Sequence, residues 1–348
     1  MKRTILIANC LLIAYSLIAA RPSPEELALC KARQHGAEAQ ERLRVVDFEG
    51  HPVAGARVWG GLQTGDSLND YIEIRGQTNT NGEFVISGKC TNRIRCEITK
   101  EGYYDSEFLV TNYGYTHSLK DGKWQPYGSM RTVVLKKMKN PIEFTRRHSD
   151  FSYPPSLGTW YGYDLLRRQW VTDDNGDLHK DVLIRIAVEA KNKINDFKTV
   201  MEVSFTNNPF AGAYMMKKDE FSEMASVYNA DTNACYQSSF VFVFERHPIV
   251  KEKPFRYVDG SQRIDTRLQA DSYLVFRTRT VIDENGRLIS AHYGKIDGPW
   301  EFYGGMCAKD VLFNVTPNDL NLEDLDVAER SRRRIKQRER LVKQIMKD

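Results

Sequence analysis

The chain has 348 residues, enough for two domains with separate hydrophobic cores, and 41% of them are hydrophobic. Its formal net charge of +4 falls to +2 without Lys2 and Arg3, which belong to the N-terminal segment described next, so the charge gives no argument for nucleic acid or another polyanion as a partner. No apolar run after residue 20 approaches the roughly 20 residues that span a bilayer, so we expect no transmembrane span in the mature chain.

Residues 1–20 have the pattern of a cleavable secretory signal. Lys2 and Arg3 precede an apolar stretch from Ile5 to Ala19, and Pro22 follows it. An uncleaved membrane anchor is the alternative, but the stretch is shorter than a bilayer span. The sequence therefore predicts a secreted or periplasmic, envelope-associated protein of the bacterial type.

Residues 21–42 are predicted to form a short helical lead-in. The segment is rich in Glu, Ala, Arg and Gln, and Ser23 and Glu26 have the spacing of a capping box.

Residues 43–139 have the period-two alternation and frequent turn signals of an antiparallel β-sandwich. Asn81-Gly82 is the strongest of these signals, because both residues readily adopt the positive φ angles of a type I′ hairpin turn. Two loops, Gly60 to Arg75 and Asn112 to Ser129, are long enough to carry a function.

Three segments of this region carry a resemblance to a known family. They read G-x-P-V-x-G-A-x-V from Gly50 to Val58, N-G-x-F from Asn81 to Phe84, and K-x-G-Y from Lys100 to Tyr103. In this order they resemble the carboxypeptidase regulatory-like domain, a transthyretin-like β-sandwich. The resemblance covers less than a third of the chain, and it implies an accessory, non-catalytic module that serves stability, spacing or binding.

The second long loop is rich in aromatic residues. Tyr113, Tyr115, Trp124 and Tyr127 lie there among polar residues, and flat rings beside hydrogen-bonding groups are suited to holding sugars or peptides. These four residues are the candidate ligand-binding residues. The alternative is that the rings pack the loop onto the sandwich.

Loss of the signal segment leaves five cysteines, an odd number, in a compartment that permits disulfides. Cys90 and Cys96 flank a short loop and could be bridged across it, and Cys235 and Cys307 could pair in the second domain. The spacing of these residues does not match a redox or zinc motif.

Residues 140–157, punctuated by prolines, are predicted to be a linker, and residues 158–321 a β-rich domain of unknown type. A hairpin is expected from Val281 to Ile289 around a second Asn-Gly pair. The segments from Arg277 to Gly294 and from Asn318 to Leu322 weakly resemble uncharacterised exported bacterial proteins with a similar first module. A cluster of aromatic residues at the start of the domain is predicted to be buried: Tyr153, Trp160, Tyr161, Tyr163 and Trp170.

Residues 322–348 are predicted to form a basic amphipathic helical tail. Its cations could make peripheral contact with an anionic membrane surface or an acidic protein groove. The alternative is a solvated helix that packs loosely on the second domain.

No motif for a metal, a cofactor, a serine hydrolase or a phosphate-binding loop occurs in the sequence. We therefore expect a non-catalytic binding or surface-organising protein with a glycan or protein ligand and no cofactor. The alternative is a carbohydrate-active enzyme whose second domain brings two carboxylates together in a cleft. A deep pocket with converging acids would favour the enzyme, and a flat aromatic platform would favour the binding protein.

Overall fold

The computed structural model describes most of the chain. Its described residues are 23–65, 70–111, 113–145, 153–172, 177–193, 196–205, 209–246, 250–253, 256–258, 265–302, 307–308 and 311–345. The predicted signal segment lies outside them. The chain divides into two compact units, one formed by residues 1–100 and 105–135 and the other by residues 101–104 and 136–348.

The first unit is a β-sandwich, and β-structure dominates the chain as a whole. The elements are α1 (Pro24–His35), β1 (Ala37–Val46), β2 (Arg57–Gln63), β3 (Tyr71–Gln77), β4 (Glu83–Cys90), β5 (Ile94–Thr99), β6 (Ser106–Val110), α2 (Tyr113–Thr116), β7 (Leu119–Lys120), β8 (Lys123–Trp124) and β9 (Ser129–Val134). One sheet has the order β4-β1-β8-β7, with β9 also paired to β1, and the other has the order β3-β2-β5-β6.

The lead-in helix is shorter than predicted. Its capping box forms as expected, with the Ser23 side chain accepting from the Glu26 amide and the Glu26 carboxylate accepting from the Ser23 amide. The helix ends at His35 because Gly36 takes a φ of 76°, a conformation that favours glycine. Residues from Ala37 onward are a strand, and their alternating burial fits one face against the sandwich core.

The sandwich is not wholly antiparallel, in contrast to the prediction. Strand β1 pairs with β4 antiparallel on one side, but on the other it pairs with β9 in parallel over six residue pairs, from Glu41–Ser129 to Val46–Val134. Hydrophobic periodicity identifies the strands, but it contains no information on the direction of the neighbouring strand.

Three turns of the chain share one geometry. The first residue of the turn is Asp47, Asn79 or Asp283. The fourth residue is a glycine, with a φ of 88°, 74° or 75° respectively. The glycine amide donates a hydrogen bond to the carbonyl of the first residue. The side-chain Oδ1 of the first residue accepts two further backbone amides. Asn81 has no positive φ, so the turn is not the predicted type I′. The Asp283 turn joins the predicted hairpin, whereas the Asn79 turn joins strands of different sheets.

The elements of the second unit are β10 (Tyr161–Asp164), β11 (Gln169–Val171), β12 (Val182–Lys193), β13 (Asp196–Ser204), β14 (Gly212–Lys217), β15 (Ser239–Arg246), β16 (Val250–Lys253), β17 (Arg256–Val258), β18 (Ser272–Ile282), β19 (Leu288–Asp297), β20 (Trp300–Glu301), β21 (Cys307–Ala308), β22 (Val311–Phe313) and α3 (Leu325–Ile345). They form two large antiparallel sheets, ordered β11-β10-β12-β13-β15 and β14-β18-β19-β22, and two small two-stranded sheets.

The main core of this unit lies between the two large sheets. Ile184, Met201 and Phe242 from the first sheet pack in one buried cluster with Phe276 and Phe313 from the second. Alternate residues of β12, β13 and β15 point into this cluster, so the residues between them lie on the opposite, outer face of the sheet.

Part of the predicted linker belongs to the second unit. Ile142 donates its amide to the Glu323 carbonyl and accepts from the Leu325 amide, and Phe144 is 7% exposed. Residues 146–152 lie outside the described part of the chain. Prolines marked this segment as a break in secondary structure, but a segment without helix or strand can still be packed.

The C-terminal helix forms as predicted, over Leu325–Ile345. Its first turns are anchored, because Val327 and Ala328 pack with Tyr104, Met224 and Tyr228 in a small buried cluster. Within the described residues, no helix is long and apolar enough to cross a membrane.

Candidate functional site

The outer face of the first sheet of the second unit carries the best candidate site. Two rows of side chains cross this face at neighbouring register positions. One row contains Leu183, Ser204 and Ser239. The next contains Arg185, Glu202 and Val241. Val241 is 60% exposed, so this part of the face is open to solvent.

Trp160 borders this face and makes it a groove. The residue immediately precedes β10, which pairs with β12 beside the two rows, and 41% of its surface is exposed. The groove has a volume of ≈ 570 Å³ and is lined by Trp160, Leu183, Glu202, Val203, Ser204, Ser239, Phe240 and Val241. Its size lies within the range of small-molecule sites, and its walls combine apolar area with a few polar groups.

An ion pair fixes the tryptophan side of the groove. The Arg185 guanidinium donates from Nε to a Glu202 carboxylate oxygen, and its carbon lies 5.2 Å from the centre of the Trp160 ring. The hydrogen bond to Glu202 raises the pKa of Arg185, so the group is cationic at every physiological pH. A cation over an aromatic face stabilises the ring's position, and one ring face is thereby held in a defined orientation.

The aromatic loop predicted to bind ligand is largely buried. Trp124 is 1% exposed and donates its Nε1 proton to the Cys90 carbonyl over 2.7 Å, while Tyr113 is 1% exposed and donates to Glu41 Oε1 over 2.8 Å. Neither ring can present a face to a ligand. Burial raises the pKa of the Tyr113 phenol, with the adjacent Glu41 carboxylate contributing further.

The other two residues of that prediction offer no platform. Tyr127 is half-buried with the Lys123 ammonium 4.8 Å above its ring, and the Tyr115 side chain lies outside the described residues. The alternative interpretation, in which the rings pack the loop onto the sandwich, fits Tyr113 and Trp124. The spacing of the rings in sequence did not distinguish the two interpretations, because the burial of Trp124 depends on the pairing of its strand, β8, with the distant strand β1.

The predicted bridge between Cys90 and Cys96 is not formed. Both thiols are free and fully buried, and Cys90 Sγ instead donates to the Arg93 carbonyl at 3.3 Å. The two residues belong to different sheets, Cys90 to that of β1 and Cys96 to that of β2. Burial raises the pKa of each thiol to about 12. Cys235 is also free, and the Cys307 side chain lies outside the described residues.

Two acids of the second unit come together, as the enzyme alternative requires, but of the two only Asp181 lines a cleft. Asp164 and Asp181 are almost fully buried, and both contact the Arg279 guanidinium. All four carboxylate oxygens already accept hydrogen bonds, including those from the backbone amides of Leu165 and His179. Carboxylates so engaged are held in fixed positions, which suits structural support better than proton transfer to a substrate.

No cluster of three or more metal-ligating side chains occurs among the residues that the structure describes. Among the described residues that line the groove beside Trp160, Glu202 alone is a charged ligand group, and that carboxylate is paired with Arg185.

No family model and no curated protein matches this chain. Among solved structures, it is similar to 3-chlorocatechol 1,2-dioxygenase from Rhodococcus opacus 1CP, at 15% identity and a TM-score of 0.24, over 30% of this chain and 62% of that one. It is also similar to BcpA, the major pilin subunit of Bacillus cereus, at 12% identity and a TM-score of 0.21, over 82% and 95% of the two chains. The alignment thus spans less than two thirds of the dioxygenase, and likenesses this distant contribute nothing to a functional assignment.

Sequence reasoning missed the groove because it assigned Trp160 to a buried aromatic cluster. Tyr163 and Trp170 are buried as predicted, but Trp160 and Tyr153 are exposed, Tyr153 by 65%. Alternation along β10 could not have separated them, because Trp160 lies before the strand and Gly162, Tyr163 and Asp164 are all buried.

Proposed function

We propose that this chain is an exported, non-catalytic binding protein that holds a carbohydrate in the groove beside Trp160. The observation that carries the proposal is the exposed Trp160 ring, held by Arg185 at the border of an open sheet face. A large exposed aromatic ring loses apolar contact with solvent when it is covered by a ligand, and this favours binding.

The lining of the groove supports a sugar as the ligand. A pyranose has an apolar C–H face that can lie on an indole ring, and its hydroxyl groups both donate and accept hydrogen bonds. Ser204 and Ser239 supply hydroxyls, and Glu202 supplies a carboxylate acceptor, all on the same face as the ring. Leu183 and Val241 provide the apolar remainder of the surface.

The state of the carboxylates supports a binding role over catalysis. Glycoside hydrolysis needs one acid that can donate a proton and one that can attack or activate water. Asp164 and Asp181 both form ion pairs with Arg279, and Glu202 forms an ion pair with Arg185.

The first unit is proposed to be an accessory module of the carboxypeptidase regulatory-like type. Four glycines of the motifs that carry this resemblance, Gly50, Gly55, Gly82 and Gly102, all have positive φ angles, so each occupies a conformation that favours glycine.

Export is proposed from the N-terminal sequence. Expression of the full chain in bacteria, followed by fractionation and N-terminal sequencing, tests whether the mature protein begins near Arg21 outside the cytoplasm.

A glycan-array screen of the chain from Arg21 at fixed ionic strength tests the binding proposal, with the Trp160→Ala variant screened in parallel. We expect the parent protein to bind a defined set of saccharides on the array that the variant does not bind. Tyr153→Ala is the matched control, since Tyr153 is equally aromatic and more exposed but does not line the groove. An array without saccharide hits, or with hits shared by Trp160→Ala, would exclude this function.

A further inference from the structure

A second cleft of the second unit has a distinct chemistry. It has a volume of ≈ 780 Å³ and is lined by His179, Lys180, Asp181, Arg279, Thr280, Val281 and His292. Four of these seven side chains are cationic or can be protonated, and the one acid is Asp181.

The acid in the lining is already occupied as an acceptor. Asp181 Oδ1 accepts from Arg279 Nε at 2.9 Å and Thr278 Oγ1 at 3.2 Å, and its Oδ2 accepts from Arg279 Nη2 at 3.0 Å and the Leu165 amide at 2.9 Å. Asp164, behind it, is likewise bonded to Arg279 and to backbone amides. The carboxylate oxygens near the cleft therefore already accept hydrogen bonds from groups within the protein.

Some donors of the lining, on Arg279 and Lys180, are not used by other groups in the described part of the chain. Arg279 Nη1 has no hydrogen-bond partner within the described ranges, whereas Nε and Nη2 fix the guanidinium on the two aspartates. The guanidinium also lies 4.8 Å from the Phe313 ring centre. Lys180 is exposed and forms no ion pair with any residue for which the structure gives a position. A guanidinium held this rigidly loses little conformational entropy when it binds a ligand.

The two histidines contribute to the lining in different ways. His292 Nδ1 lies 3.2 Å from the Asn314 carbonyl, which can only accept, so that nitrogen carries the proton and is already used as a donor. The His292 ring stacks on Phe313, and its Nε2 donates to a ligand only in the protonated ring. His179 is exposed at the rim, beside Lys180. A ligand that supplies acceptor atoms and negative charge satisfies this lining, and a cation or an apolar molecule does not.

We infer that this cleft binds an oxyanion group, a carboxylate or a phosphate, carried by a small organic molecule. Arg279 Nη1 and Lys180 contact the anionic group, and Asp164 and Asp181 position Arg279 without contacting the ligand. The site is separate in its lining from the groove beside Trp160, so the inference does not depend on the proposed carbohydrate binding.

Isothermal titration of the intact chain from Arg21 with citrate and with inorganic phosphate, at constant ionic strength, tests this inference. We expect saturable binding of at least one of them, and Lys180→Ala should weaken it about tenfold, the effect of one lost charge-assisted hydrogen bond. Lys336→Ala, an exposed lysine on α3 outside the cleft, is the matched control and should bind as the parent does.

The two ligands distinguish the source of the oxyanion. Citrate binding without phosphate binding identifies a carboxylate site, phosphate binding alone identifies a phosphoryl site, and binding of both identifies a general oxyanion site. Absence of saturable binding for both would overturn the inference, as would equal weakening by Lys180→Ala and Lys336→Ala, which would indicate unspecific attraction to positive charge. Retention of the parent's urea midpoint by Lys180→Ala establishes that a loss of binding is local.

Discussion

Arg279 donates two hydrogen bonds to Asp181, from Nε to Oδ1 at 2.9 Å and from Nη2 to Oδ2 at 3.0 Å, although the two residues are 98 positions apart in the chain. The pair connects the start of β12 to the irregular part of β18, where Arg279 itself has a φ of 49°. Burial opposes the charge on Arg279, but its hydrogen bonds to the two aspartates and their negative charge raise its pKa overall. Such a buried arrangement stabilises the fold only while every partner is present.

Asp181→Asn should therefore lower the free energy of unfolding by about 3 kcal/mol, because an amide nitrogen replaces one acceptor and the charge of Arg279 is less compensated. Urea unfolding followed by tryptophan fluorescence measures the change. Glu284→Gln, at an exposed turn position, is the control and should lie within about 0.5 kcal/mol of the parent. Equal stability of the two variants would contradict a structural role for the pair.

Lys136 should also be essential for the stability of the second unit. Its ammonium is fully buried, contacts Asp219, and donates to the carbonyls of Met224 at 2.9 Å and Ser226 at 2.8 Å. Lys136→Met removes these donors and leaves two buried carbonyls without them, so we expect a loss of about 2–4 kcal/mol at neutral pH. Lys336→Met, at an exposed helix position, serves as the control.

The stability of the parent and that of Lys136→Met should also differ in their pH dependence. Burial lowers the pKa of Lys136 below its ordinary 10.5, with Asp219 partly opposing the effect. At pH values between the lowered pKa and 10.5, Lys136 is protonated in the unfolded chain but not in the folded chain. The free energy of unfolding therefore rises with pH across that window. The difference between the parent and Lys136→Met should therefore grow as pH is raised toward 10.5. A difference independent of pH would contradict the lowered pKa.

The buried thiols should be unreactive in the folded protein. With pKa values of about 12, Cys90 and Cys96 have almost no thiolate at pH 8, and both are inaccessible. Iodoacetamide should label Cys30 and Cys235 in the native protein, and Cys90 and Cys96 only after unfolding without a reductant. Mass spectrometry of the labelled peptides distinguishes the states. A Cys90–Cys96 peptide two mass units lighter and resistant to labelling would show that the bridge forms after all.

Trp124→Ala should act on stability. The ring is 1% exposed, so its removal leaves a cavity and removes the hydrogen bond to the Cys90 carbonyl, and we expect a loss of about 3–5 kcal/mol. Met130→Ala, at a position 43% exposed in β9 of the same sheet, should cost less than about 1 kcal/mol. Unchanged stability of Trp124→Ala would return the aromatic loop to consideration as a binding surface.

Local rules of the sequence predicted the β-rich class, the capping box at Ser23, the hairpin around Asp283 and the C-terminal helix, because each depends on residues close together in the chain. The turn signal was recognised at its glycine but misassigned. The informative unit is Asp or Asn three residues before glycine, where the side chain binds two amides, and this unit also occurs at Asp47. The site was not predictable in the same way. The burial of Trp124 and the exposure of Trp160 depend on pairings between distant strands, which periodicity does not specify.

The central claim is most directly tested by calorimetric titration of the parent, Trp160→Ala and Tyr153→Ala with one saccharide identified on the array. If the groove is the site, Trp160→Ala should weaken binding by at least about 30-fold, the effect of losing a contact worth 2 kcal/mol or more, and Tyr153→Ala should bind within twofold of the parent. Equal affinities for all three proteins would place the ligand elsewhere and contradict the account.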